Sequence, residues 1–276
     1  MKTIDVSTWN LFSERPYSRS YINQSGERML KAIDKTDQTA VDYLLEEYRI
    51  ATVANKLGIP TAKIYDLVET NRGEIGIIYE YINDKISFSR AISREPDKLE
   101  EYVKQFTAVV KKLHSIEADT SLVPSHIERI YGGLNATSIF TDAEKELIKE
   151  RISLLPEDTK CLHGDMTLSN AIHSPVGDFI IDLGLLSYGN PLFDVAYFRN
   201  LAKFLPEEWT KTFLHIDNAT LARCWEVYAT EYFGSNDLEE IEHFLLPYVK
   251  YAGLTVLSVE PDADSIKASK DFILSE

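Results

Sequence analysis

The run from Cys161 to Asp182 carries the side chains best suited to chemistry. An apolar step leads into His163-Gly164-Asp165, and Asn170 follows five residues after that aspartate. A turn signal, Ser174-Pro175-Val176-Gly177-Asp178, precedes a second apolar run, Phe179-Ile180-Ile181, which ends on Asp182-Leu183-Gly184. Two short β-prone runs around a Pro/Gly turn read as a hairpin. A hairpin brings its ends together, so Asp165, Asn170 and Asp182 are expected to converge. One carboxylate can orient an attacking hydroxyl and take its proton. An amide oxygen and a second carboxylate can hold Mg²⁺ against nucleotide phosphates. Together these residues are equipped for phosphoryl transfer.

The catalytic loop of protein kinases follows the same logic, with Asp, four residues and Asn, and later an Asp-Phe-Gly triplet. Here the loop is His-Gly-Asp-x-x-x-x-Asn and the triplet is Asp-Leu-Gly. This variant resembles the aminoglycoside phosphotransferase and choline kinase family, the small-molecule branch of the kinase-like fold. The downstream run Gly189-Asn190-Pro191-Leu192-Phe193-Asp194-Val195-Ala196 is similar to that family too. The resemblance spans roughly residues 10–200 and implies ATP and Mg²⁺ as cofactors. It makes Asp165 the base, gives Asn170 and Asp182 to the metal, and leaves Asp194 to tie the loop from below.

The elements that must position these groups come earlier in the chain. Thr3–Val6, Arg19–Asn23 and Arg28–Ile33 read as strands, the last two joined at Gln24-Ser25-Gly26-Glu27. Lys31 lies inside the third, and the resemblance assigns such a strand lysine to nucleotide phosphates. Residues 13–20 are expected to form a phosphate-covering loop without glycine, contributing backbone amides and the hydroxyl of Ser18 or Ser20. A helix is expected over residues 38–57, stopped by Gly58. Glu46 and Glu47 lie in its middle; Glu47, 13 residues before Pro60, suits the family pattern for the partner of Lys31. Ile64–Val68 and Gly76–Ile82 read as strands around Asn71-Arg72-Gly73. The second resembles a kinase hinge, which would aim the carbonyl of Glu80 and the amide of Ile82 at the adenine.

From residue 83 the texture becomes helical. Residues 97–116 carry an apolar stripe that ends at His114, expected to be structural. Thr141-Asp142-Ala143-Glu144 is a capping box. Residues 195–204, 218–233 and 238–256 show helical apolar spacing. Trp209, Trp225, Tyr228, Tyr232 and Phe233 are expected to pack in the core rather than to form an aromatic cage.

Composition narrows the classes. The chain has 276 residues, 44% of them apolar, and a net charge of −15. That charge argues against nucleic acid, whose phosphates need a basic face. Residues 201–276 hold 14 Asp and Glu against six Lys and Arg, a balance that suits a cationic acceptor or simply a solvated acidic surface. No long apolar run or apolar leader core is visible, so neither a membrane partner nor a membrane span is expected. Cys161 and Cys224 offer no disulfide framework or metal spacing, which suggests a reducing, cytoplasmic setting. P-loop, dinucleotide-binding and Gly-x-Ser-x-Gly motifs are absent.

The expectation is therefore an α+β, bilobal, protein-kinase-like fold. A small β-rich lobe with one helix spans residues 1–82, and a larger helical lobe spans 83–276, with the nucleotide between them. The activity expected is ATP-dependent transfer of a phosphoryl group to a hydroxyl of a small molecule, aminoglycoside-like, amino alcohol or sugar. Two alternatives stay open. One is a protein-directed atypical kinase or ATPase, since His-Gly-Asp-x-Thr-x-Ser-Asn is similar to the small kinase partner of the tRNA threonylcarbamoylation machinery. That family is shorter, more basic and lacks the Gly-Asn-Pro…Asp-Val-Ala extension. The other is a pseudokinase binding module, at odds with the presence of Lys31, Asp165, Asn170 and Asp182.

Overall fold

Side-chain alternation builds the first of two units. In chain order it contains β1 (Lys2–Ile4), β2 (Asn10–Arg15), β3 (Ser18–Ile22), β4 (Arg28–Asp34), α1 (Gln38–Leu57), β5 (Ile64–Thr70) and β6 (Glu74–Glu80). The computed structural model describes residues 1–15, 18–254 and 270–275. The six strands form one sheet of order β1-β5-β6-β4-β3-β2. On one face Leu30 and Ala32 of β4 pack with Val6, Tyr21, Val68 and Ile78. On the other, Ile33, Ile75 and Ile77 pack against Leu44 of α1. Successive strand residues point to opposite faces, so Lys31, paired with Ile77, shares the α1 face.

Local chemistry sets the ends of α1. Asp37 caps it by accepting from the Ala40 amide, and Gly58 closes it with φ of 75°. A left-handed residue at that position is cheapest as glycine.

The rest of the chain continues with β7 (Ile86–Ser87), α2 (Phe88–Arg94), α3 (Leu99–His114), α4 (His126–Ala136) and α5 (Asp142–Ser153). It then forms β8 (Lys160–Leu162), β9 (Ala171–Ser174), β10 (Gly177–Ile180) and β11 (Ser187–Gly189). It closes with α6 (Leu192–Phe204), α7 (Glu207–Trp209), α8 (Asn218–Phe233) and α9 (Leu238–Val249). The first compact unit is Met1–Ser87 with Ala171–Gly184; the second is Phe88–Asn170 with Leu185–Glu276. The β9–β10 hairpin joins the first unit because β9 pairs with β7 and the Ile180 amide donates to the Pro60 carbonyl at 2.6 Å.

Aromatic packing holds the second unit together. Phe106 of α3 lies 5.6 Å from Phe198 of α6, and Phe198 lies 5.0 Å from Tyr228 of α8, ring centre to ring centre. The capping box at Thr141 and Glu144 forms at the start of α5 as expected.

The structure departs from the sequence expectations in four places. Residues 13–15 and 18–20 are strand rather than loop: Ser13 pairs with Ser20 across β2 and β3, and Pro16 and Tyr17 fall outside the described residues. β2 is an edge strand with no buried side of its own, so no apolar alternation announces it. The expected strand Thr3–Val6 breaks at Asp5, which caps a single 3₁₀ turn, Val6–Thr8. Trp209 is half exposed and rests on Phe213 at 5.0 Å, while Trp225 and Tyr228 are core residues. Finally, α9 ends at Val249, two residues after Pro247, which supplies no amide hydrogen to the helix. The expected end at Val256 lies outside the described residues. No helix among the described residues is long and apolar enough to cross a membrane.

Gly76 sits where β6 presses on β4. A Cβ there would stand 2.7 Å from both the Leu30 side chain and the Lys31 carbonyl oxygen. Gly76→Ala must push β4 aside and is expected to cost about 2 kcal/mol of stability, read as a lowered urea midpoint. An unchanged midpoint would mean that the strands yield without strain.

Candidate active site

In the second unit the candidate loop at residues 163–170 is built from its anchors outward. Met166 and Leu168 are buried, and the Ser89 amide donates to the Leu168 carbonyl at 3.1 Å. These apolar pins leave Asp165, Ser169 and Asn170 half-buried. Gly164 has φ of 82°, and a Cβ on it would meet the Leu185 carbonyl oxygen at 2.7 Å, so only glycine fits. Asn170 turns its amide nitrogen onto Asp165, 2.8 Å from the carbonyl and 3.1 Å from Oδ2. The nitrogen end is thereby occupied, which leaves the Asn170 amide oxygen as the end suited to a cation.

Beneath the loop lies Asp194, in the first turn of α6 and almost completely buried. Its Oδ2 accepts from the His163 amide at 2.7 Å, and its Oδ1 accepts from the Gly164 amide at 2.8 Å. His114 of α3 adds a third donor, Nε2 at 3.1 Å, and its Nδ1 lies 2.8 Å from the Tyr232 hydroxyl of α8. Burial pushes the Asp194 carboxyl up, but the His114 hydrogen bond and the surrounding histidines outweigh it and hold the group below its ordinary value. A carboxylate at a helix N-terminus with such donors stays charged. Tyr197, one turn along α6, stands beside Asp165; burial first, then that carboxylate, pushes its phenol up. Both cysteines are free and buried, and burial pushes Cys161 up to about 11 and Cys224 up to about 12, far from a reactive thiolate.

The first unit holds the other candidate residues. Lys31 Nζ lies 2.6 Å from Glu47 Oε2, whereas Glu46 turns away to Arg49 at 2.7 Å. The other oxygen of Glu47 accepts from the Tyr79 hydroxyl at 2.9 Å. Ser18, on β3, lines a hollow of about 330 Å³ together with Lys31, Thr39, Tyr43 and Glu47. Glu80 closes β6, and its side chain accepts from the Lys63 amide at 3.1 Å. Beyond it the Tyr81 amide is taken by the Glu27 carbonyl, and Ile82 is buried. Asp182 follows β10, exposed, with φ of 60°. A non-glycine residue in that region is uncommon, and such backbone strain clusters at functional positions.

Sequence reasoning missed Tyr79 and Tyr197. Tyr79 reads as one more aromatic of a strand, and Tyr197 as one more of a helix. The only available signal for Tyr79 was its phase: it shares a strand face with Ile77, the residue that pairs with Lys31.

A sheet lysine paired with a helix glutamate, and an Asp/Asn loop braced by a buried aspartate, sit in a kinase-like fold. A family model described as "Phosphotransferase enzyme family" matches residues 18–229, most of the chain, and the chain belongs to that family. Solved structures share the fold at low identity. A choline/ethanolamine kinase family protein from Mesorhizobium loti is 12% identical with a TM-score of 0.52, over 96% of this chain and 85% of that one. Aminoglycoside phosphotransferase APH(3'')-Id from Streptomyces rimosus is 18% identical with a TM-score of 0.50, over 88% of this chain and 93% of that one. A thermostable mutant of aminoglycoside phosphotransferase APH(4)-Ia, in a ternary complex with ADP and hygromycin B, is 16% identical with a TM-score of 0.56, over 97% of this chain and 93% of that one. No curated protein matches the chain in sequence.

The buried histidine beside this network has a consequence for acid stability. His126 packs on Phe193 with its Nδ1 3.0 Å from Ser187 Oγ, and burial pulls it down to about 4 from an ordinary 6.5. The unfolded chain therefore takes up this proton first, and stability falls as pH drops from about 6.5 to about 4, by a total on the order of 3 kcal/mol. Urea unfolding across that window should show the loss. His126→Gln should flatten it, and a slope identical in both proteins would remove His126 as its source.

Proposed function

We propose that the chain is an ATP-dependent phosphotransferase that moves the γ-phosphoryl group to a hydroxyl of a small, cationic acceptor of the aminoglycoside or amino-alcohol class. The observation that carries this reading is the braced loop, in which Asp165 is held by Asn170 while Asp194 clamps the two preceding amides. Asp165 orients the acceptor hydroxyl and takes its proton as the new oxygen–phosphorus bond forms and the bond from the γ-phosphorus to the bridging oxygen breaks, releasing ADP. Lys31, held by Glu47, positions nucleotide phosphates, and Ser18, which shares its hollow, lies on the phosphate side. The carbonyl of Glu80 and the amide of Ile82 meet the adenine edge. The first unit is the nucleotide-binding lobe, and the helices of the second supply the acceptor site.

Asn170 and Asp182 would hold Mg²⁺. Both offer hard oxygen donors, and Mg²⁺ is commonly held by one or two such side chains together with substrate phosphates. When bound, the ion neutralises charge on the phosphates. The complexes of the APH(4)-Ia relatives with ADP and AMP-PNP support ATP as the donor here. The bound hygromycin B of those relatives and the acid-rich stretch of residues 201–276 support a cationic acceptor.

Asp165→Asn is expected to lower turnover by roughly 10²–10⁴-fold, the range for losing a general base, with nucleotide affinity nearly unchanged. Wild-type turnover in that variant would refute the base assignment. Asp182→Ala should weaken ADP binding in the presence of Mg²⁺ but not in its absence, by calorimetry. Equal effects in both conditions would rule out the metal role. A panel of aminoglycosides, choline-like amines, sugars and nucleosides with ATP identifies the acceptor, and turnover confined to neutral sugars would overturn the cationic class.

A further inference from the structure

Glu47 has two carboxylate oxygens, and both are engaged. Oε2 accepts from Lys31 Nζ at 2.6 Å, and Oε1 accepts from the Tyr79 hydroxyl at 2.9 Å. The two donors come from neighbouring strands, Lys31 from β4 and Tyr79 from β6, and the acceptor comes from α1. Tyr79 is fixed in place: it lies one residue from the end of β6, opposite Met29, and packs on the cluster of Ile33, Leu44, Ile75 and Ile77 under the helix. The Lys31–Glu47 pair is not protected in this way. Its side chains are 39% and 38% exposed, and an ion pair so open to water is held weakly because both long side chains stay mobile. A rigid phenol on the second oxygen removes rotamers from Glu47, and with them from the lysine it holds. The phenol is suited to that task, since burial and the Glu47 charge both push its ionisation up and keep it a donor.

We propose that Tyr79 is a positioning residue that locks Glu47 so that Lys31 is aimed at nucleotide phosphates. The inference rests on the nucleotide-binding reading above and extends it. Tyr79 immediately precedes Glu80, so the strand end that leads into the proposed base contacts is also the element that aims the phosphate lysine. Nucleoside recognition and phosphate recognition thus share one rigid piece of β-sheet.

Tyr79→Phe tests the idea because it keeps the ring and its packing and removes only the hydroxyl. Calorimetry on the full chain compares adenosine with ADP and Mg²⁺. Adenosine affinity should change by less than about twofold, while ADP affinity should fall about tenfold, as for loss of a hydrogen bond to a charged group. In a Glu47→Ala background the same substitution should have no further effect on ADP, because the two residues act as one unit. An unchanged ratio of ADP to adenosine affinity, an equal loss for both ligands, or a full second loss in the Glu47→Ala background would each overturn the role. If the wild-type chain binds neither ligand, the nucleotide reading itself falls and takes this inference with it. Normal wild-type binding with an unaffected Tyr79→Phe variant sinks the inference alone.

Discussion

Asp194 is almost completely buried and its carboxyl is held below its ordinary value, and the geometry of the loop at residues 163–170 rests on that carboxylate. Removing a carboxylate from water is costly by several kcal/mol unless strong donors replace the lost solvation. Here two backbone amides and an imidazole do so, at the N-terminal turn of α6. The arrangement works in both directions. The loop amides satisfy the aspartate, and the aspartate fixes the backbone at His163 and Gly164, which decides where the side chain of Asp165 emerges. Gly164 is then the one residue type that fits, because its φ is positive and the Leu185 carbonyl leaves no space for a Cβ.

The first unit solves a different problem with alternation. Leu30 and Ala32 go to one side of β4, while Ile33 goes to the other. Lys31 shares the side of Ile33, so its charge lies along an apolar face and needs a partner there. Glu47 of α1 meets it, and Tyr79 completes the coordination of that carboxylate. The pair stays partly open to water, so the position of its partner on α1, rather than burial, sets which glutamate it meets. The same packing that stabilises the sheet therefore selects which of two adjacent glutamates faces the lysine: Glu46, one residue earlier and about 100° around the helix, reaches Arg49 instead.

Much of the helical architecture was legible because strong periodicity and explicit stop signals agree. Residues 38–57 and 218–233 match α1 and α8, and the capping box at Thr141 opens α5. The spacing of Asp165, Asn170, Asp182 and Asp194 was legible as a motif. Edge strand β2 was not, because a strand exposed on both faces carries no apolar alternation. Trp209 was not, because an aromatic side chain does not announce whether a neighbour will cover it; Phe213 does so only in part. Nor was Tyr79, whose importance lies in a hydroxyl meeting a helix 32 residues away in the chain.

Local sequence by itself determined the span of α1 and the capping box that opens α5, the alternation of core residues along β4, and which side chains could do phosphoryl chemistry. These properties follow from dihedral preference, periodicity and side-chain type, all of which act over a few residues. Tertiary structure alone decided that the β9–β10 hairpin packs against β7 and the Pro60 segment, that the Tyr79 hydroxyl meets Glu47, and that donors from α3 and from residues 163–164 converge on Asp194. Those outcomes depend on contacts between segments far apart along the chain, where the cost of leaving a buried charge or backbone amide unpaired selects one arrangement.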